Sequence, residues 1–132
     1  MAKLIAVVND DRDCAETMIE SLSRRLPDVK FSHFVTGDTL VELLKLGKKF
    51  DAYLVDLNPL AGAIDGLECT EQICRIQADA VVIGTSSIGN DPIRVERTKR
   101  IFLSHGARDF VKVADGPYAM ADALRRLLAQ GG

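Results

Sequence analysis

Five times along this chain a short apolar run gives way to a segment whose apolar residues recur at helical spacing, and that alternation limits the fold more than any other feature. The runs are "KLIAVVN" (3–9), "VKFSHFVT" (29–36), "DAYLVD" (51–56), "AVVIGTSS" (80–87) and "ARDFVKV" (107–113). Behind the first, Ala15, Met18, Ile19, Leu22 and Leu26 fall on one helical stripe, with Asp13 and Glu16 spaced as a capping box. A second helix is expected from about Asp38 to Leu46, ended by Gly47, and "GLECTEQICRIQ" (66–77) supplies a third. Asp91 and Pro92 offer an N-cap and a first-turn proline to a fourth, which runs to about Ser104. The last helix, entered through Asp115 and Pro117, carries Ala121, Leu124, Leu127 and Leu128 on one stripe, with only the terminal "AQGG" frayed. Strands as apolar as Tyr53, Leu54 and Val55 need cover on both faces, which helices provide in a parallel sheet. Right-handed crossovers then leave few ways to wind five such units. The expected class is α/β, a flavodoxin-like (βα)5 doubly wound parallel sheet with strand order 2-1-3-4-5.

A chain of 132 residues is one domain's worth, and a single domain over 1–132 is expected. Lysine and arginine total 17 against 19 acids, so a net charge of −2 gives no global attraction to nucleic acid or a membrane. The basic stretch "RVERTKR" (94–100) is interrupted by Glu96 and lacks interleaved aromatics for base stacking, which makes it a solvated helix face. "MAKLIAVV" at the start is too short to span a bilayer and has no cleavage pattern behind it. Cys14, Cys69 and Cys74 form no CxxC pair and read as reduced thiols, which fits a cytoplasmic protein. Neither His33 nor His105 has a ligand-spaced companion.

Asp56 is the residue that needs a chemical reason, because it closes an otherwise apolar strand. In the expected winding, "NDD" (9–11), Asp56, "TSS" (85–87) and "KV" (112–113) all reach the rim where open α/β sheets hold ligands. Carboxylates brought together there repel one another, and a hard cation among their oxygens relieves the repulsion. Magnesium suits such oxygens and leaves room for a phosphate. The Thr85 hydroxyl, one strand over, is then placed to hydrogen-bond a phosphoryl group on Asp56.

With these residues the whole chain resembles the receiver domains of bacterial two-component response regulators. Asp56 matches the phosphoacceptor aspartate, and Asn58 matches the position whose backbone carbonyl helps hold magnesium. "IDGLE" (64–68) is similar to the Met-Asp-Gly-Leu-Glu stretch of that family, and "VVIGTSS" (81–87) to its fourth strand, with Thr85 as the phosphoryl-sensing hydroxyl. "GARDFV" (106–111) resembles the entrance to the fifth strand, with Phe110 at the aromatic switch position.

Departures accompany the matches: the loop after Asp56 and the segment carrying the fourth helix are each a few residues longer than the family's, and two site positions differ. Where the family has two adjacent acids, this chain has Asn9 and Asp10, so Asp10 falls on the direct metal ligand and the outer acid is lost. The family's lysine sits three residues after the aromatic, where this chain has Val113; Lys112 is one place early, and strand alternation sends it to the other face. A trans bond is expected before Ala114.

The resemblance implies a phosphoacceptor that takes a phosphoryl group on Asp56 from a histidine kinase or phosphotransfer protein, with Mg2+ held by Asp10, Asp56 and Asn58. Thr85 and Lys112 are its other catalytic candidates, and Phe110 relays the change to a downstream protein target. Such a domain acts as a switch more than as a turnover enzyme. One rival is a pseudo-receiver, a phosphorylation-independent interaction module, which the slipped Lys112 and the enlarged loops favour. Another is a small aspartyl-nucleophile phosphohydrolase, which wants a general acid two residues after the nucleophile, where this chain has Asn58.

Overall fold

The computed structural model describes residues 2–57 and 62–131. Its elements run β1 (Lys3–Val8), α1 (Arg12–Arg25), β2 (Val29–Phe34), α2 (Gly37–Lys45), β3 (Ala52–Asp56), α3 (Gly66–Ile76), β4 (Val82–Ser86), α4 (Pro92–Ser104), β5 (Asp109–Lys112), a 3-10 turn (Val113–Asp115) and α5 (Gly116–Gly131). The strands are parallel and lie in the order β2-β1-β3-β4-β5, the flavodoxin-like winding that the alternation predicts.

Side-chain alternation divides the core into two layers. Ala6, Val8, Tyr53, Val55, Val82 and Phe110 face Leu40 and Leu44 of α2, Cys69 and Ile73 of α3 and Phe102 of α4. Ile5, Val7, Leu54, Ile83 and Val111 face Ala15 and Leu22 of α1 and Met120, Leu124 and Leu127 of α5. Each large aliphatic side chain removed from water contributes about 1.5–3 kcal/mol, and the central strands β1, β3 and β4 carry most of the fully buried ones.

Local chemistry sets the helix limits. Asp91 caps α4 by accepting the Ile93 N–H at 3.0 Å, and Pro92 occupies the first turn, as the sequence predicts. Gly47, beyond α2, has a φ of +100°, the left-handed conformation that favours glycine. Of the two acids that flank the start of α1, Asp11 and not Asp13 is the cap: it accepts the Cys14 N–H at 3.0 Å. The cause lies one turn earlier, where Asn9 Oδ1 accepts the Asp11 N–H at 2.9 Å and bends the chain into a turn straight off β1. Where fraying is expected from Ala129, α5 continues to Gly131, with Leu127 buried and Leu128 against the core; Gly132 lies outside the described residues. Among the described residues no helix is long and apolar enough to cross a membrane. The three cysteines are free thiols.

Candidate functional site

The site is assembled by strand register. Asp56 and Thr85 are paired residues at the carboxyl ends of β3 and β4, and the ladder continues one step past them, with the Leu57 N–H donating to the Thr85 carbonyl at 2.9 Å. Val8 pairs with Val55, which brings residue 9, just past the end of β1, level with Asp56. Asn9, Asp56 and Thr85 are 4%, 5% and 2% exposed, so three buried polar side chains sit at the sheet rim. By alternation Asp56 and Thr85 belong to the face of Leu54 and Ile83, the face covered by α1 and α5. Asp10 follows on the exposed side of the β1 turn. Asn58 lies outside the described residues.

Asn9 organises this rim from three of its atoms. Its Oδ1 accepts the Asp11 N–H, its Nδ2 donates to Cys14 Sγ at 3.8 Å, and its carbonyl stands 2.7 Å from His33 Nε2 on β2. Burial pushes the Cys14 thiol up, the Asp11 and Asp56 carboxylates add to the rise, and the Asn9 hydrogen bond opposes it. None of these roles is visible in a motif; the Asn-x-Asp spacing of residues 9–11, an Asx-turn signal, is the nearest sequence trace.

Lys112 and Phe110 are placed by β5. Phe110 is buried opposite Gly84, and its ring stacks on Phe102 of α4 with centroids 5.7 Å apart. Lys112 points, as alternation predicts, to the same α4 side. Its ammonium donates to Asn90 Oδ1 at 2.8 Å and lies 3.5 Å from Asp115. No cis peptide bond occurs among the described residues, in keeping with the trans bond expected before Ala114. Val113, at the register the sequence resemblance assigns to a lysine, lines a groove of about 480 Å³ between α1 and α5 together with Asp11, Cys14, Thr17, Met18 and Met120. Among the described residues no three His, Cys, Asp or Glu side chains gather as a metal cage.

Comparison with known proteins agrees with this fold. The chain matches the beryllofluoride-activated receiver domain of DrrB, a Thermotoga maritima protein, with a TM-score of 0.78 at 22% identity over 98% of this chain and 99% of that one. It matches a CheY-like response regulator receiver domain protein from Methanospirillum hungatei with a TM-score of 0.80 at 16% identity, covering 99% and 97% of the two chains. A LuxR-family two-component response regulator from Aurantimonas gives 0.81 at 19% identity over 98% and 87%. No protein-family model and no curated protein matches the sequence. The chain has the fold of response regulator receiver domains, at a sequence distance that leaves the chemistry to be judged from its own residues.

Proposed function

We propose that this chain is a phosphoacceptor receiver domain whose nucleophile is Asp56. The observation that supports the reading best is the pairing of Asp56 with Thr85 at the rim of adjacent strands, next to the Asn9–Asp10 turn. In the proposed step an Asp56 carboxylate oxygen forms a bond to phosphorus as the phosphorus–nitrogen bond of a partner's phosphohistidine breaks, and the bonding pair stays on the imidazole nitrogen. Thr85 supplies a hydroxyl to one oxygen of the transferred group. Phe110, packed on Phe102, carries the resulting shift of β4 and β5 to α4 and a downstream protein partner. A cytoplasmic setting suits a histidine kinase or phosphotransfer protein as donor.

The donor set fits magnesium, which is commonly held by one or two carboxylates plus phosphate oxygens and water, and does not call for a full protein cage. Asp10 and Asp56 would be the carboxylate ligands, with the Asn58 carbonyl beside them. Bound there, magnesium would neutralise charge on the phosphoryl oxygens. Loss of the second acid at Asn9 predicts weaker metal binding than an acidic pair gives.

The hydrogen bond from Lys112 to Asn90 favours one second reading, a pseudo-receiver that presents its α4–β5 face without phosphorylation. Incubation with acetyl phosphate and Mg2+, followed by intact mass analysis, separates the two. A phosphoryl adduct that disappears in Asp56→Asn supports the phosphoacceptor, and no adduct supports the module.

A further inference from the structure

Residues 62–64, which lead into α3, are held by a side chain that the phosphoryl transfer described above does not use. Asp38 stands in the first turn of α2, behind the cap Thr36, whose hydroxyl accepts the Thr39 N–H at 3.2 Å. An acid at that place is ordinarily accounted for by the helix dipole. Here its carboxylate also reaches across to a segment 25 residues away: the Ala63 N–H lies 3.1 Å from Oδ1 and 3.2 Å from Oδ2, and the Ile64 N–H donates to Oδ1 at 3.3 Å. Bonds from amides to an ionised carboxylate are the stronger kind. The approach is so close that a Cβ on Gly62 would stand 2.5 Å from Asp38 Oδ1.

The clamp leads to the site by contact. After Ile64 the chain passes to Asp65, which caps α3 by accepting the Glu68 N–H at 2.8 Å, and then to Gly66. Gly66 starts α3 directly against the Asp56 carbonyl oxygen, in a space that no Cβ fits. One path therefore runs from the Asp38 carboxylate through residues 62–64 and the α3 start to the backbone of the proposed nucleophile.

We infer that Asp38 is a positioning residue for the Asp56 site. Its carboxylate fixes the returning arm of the loop and, through Gly66, the backbone that aims Asp56. The effect on phosphoryl uptake rests on the phosphoacceptor reading; the effect on the Asp56 backbone does not.

The test uses the full chain as Asp38→Ala, Asp38→Asn and, as a control, Glu42→Ala, which removes an exposed acid from the same helix. Mg2+ affinity is read from amide shifts of Asp10 and Asp56, phosphoryl uptake from acetyl phosphate, and loop closure from hydrogen exchange at Ala63 and Ile64. Asp38→Ala is expected to weaken Mg2+ binding and slow uptake by about tenfold or more, the range seen when a supporting partner of a site is removed. Asp38→Asn, which keeps shape and one acceptor oxygen, should fall between, and it carries the test if Asp38→Ala fails to fold. Glu42→Ala should stay within about twofold of wild type. Equal behaviour of the Asp38 and Glu42 variants overturns the inference. If wild type takes up neither Mg2+ nor a phosphoryl group, the phosphoacceptor reading fails, and the remaining readouts still decide the role of Asp38. Faster exchange at Ala63 and Ile64 with displaced Asp56 and Gly66 amide shifts, in the Asp38 variants only, supports it; unchanged spectra overturn it.

Discussion

The Lys112 ammonium donates to the Asn90 side-chain oxygen at 2.8 Å on the α4 side of the sheet, while Val113, the next residue, lines the groove on the α1–α5 side beside Asp11 and Cys14. Asp56 and Thr85 share the face of Val111 and hence the side of that groove. One residue of register thus separates the cation of β5 from the face that carries the proposed nucleophile.

That separation makes Val113→Lys a gain-of-function variant. A cation introduced from Val113 enters on the face of Asp56 and Thr85, where negative charge gathers during transfer, and phosphoryl uptake from acetyl phosphate should rise about tenfold. Lys112→Ala should leave the rate within about twofold. Loss of uptake in Lys112→Ala with no gain in Val113→Lys would make Lys112 itself the cation of the site.

Gly84→Ala tests how tightly the switch region is packed. A Cβ at Gly84 meets the Phe102 ring, and Phe102 is itself fully buried and stacked on Phe110, so the ring has little freedom to withdraw. The variant should lose about 1–3 kcal/mol of stability, read as a lower urea midpoint at unchanged slope.

Tyr53 predicts an alkaline limit to stability. Its ring is fully buried, its hydroxyl bonds Gln77 and accepts the Phe50 N–H at 3.2 Å, and burial pushes the phenol up to about 12. Between the ordinary value of 10.0 and 12 the unfolded chain has lost a proton that the folded chain keeps. The stabilisation from this group is therefore complete below pH 10 and falls away as pH rises towards 12. Thermal unfolding followed across that range, with tyrosinate absorbance alongside, should show the loss. Tyr53→Phe should remove this pH dependence and cost about 1–3 kcal/mol at neutral pH by taking the hydroxyl from the Phe50 N–H and from Gln77 Oε1.

The sequence discloses what periodicity and local chemistry determine. The strand runs and helical stripes are enough to predict the winding, Asp91 and Pro92 mark α4, and alternation alone places Lys112 on the α4 side. Contacts between distant segments leave no such trace. The Asp38 clamp joins residues 25 apart, and the bond between His33 and the Asn9 carbonyl spans 24, with no spacing rule to reveal either. The sequence leaves the α1 cap open between two residues: Asp11 and Asp13 are both good capping residues, and the Asn9 turn, a local competitor to the strand, decides between them. Asn58, the expected carbonyl ligand, falls outside the described residues.

The most direct measurement is a beryllofluoride titration of the 15N-labelled chain, with and without Mg2+. Beryllofluoride mimics a phosphoryl group on an aspartate. A phosphoacceptor predicts saturable, Mg2+-dependent shifts at the amides of Asp56, Thr85 and Phe110 that vanish in Asp56→Asn. An unchanged spectrum at saturating beryllofluoride and Mg2+, or the same shifts in Asp56→Asn, contradicts it.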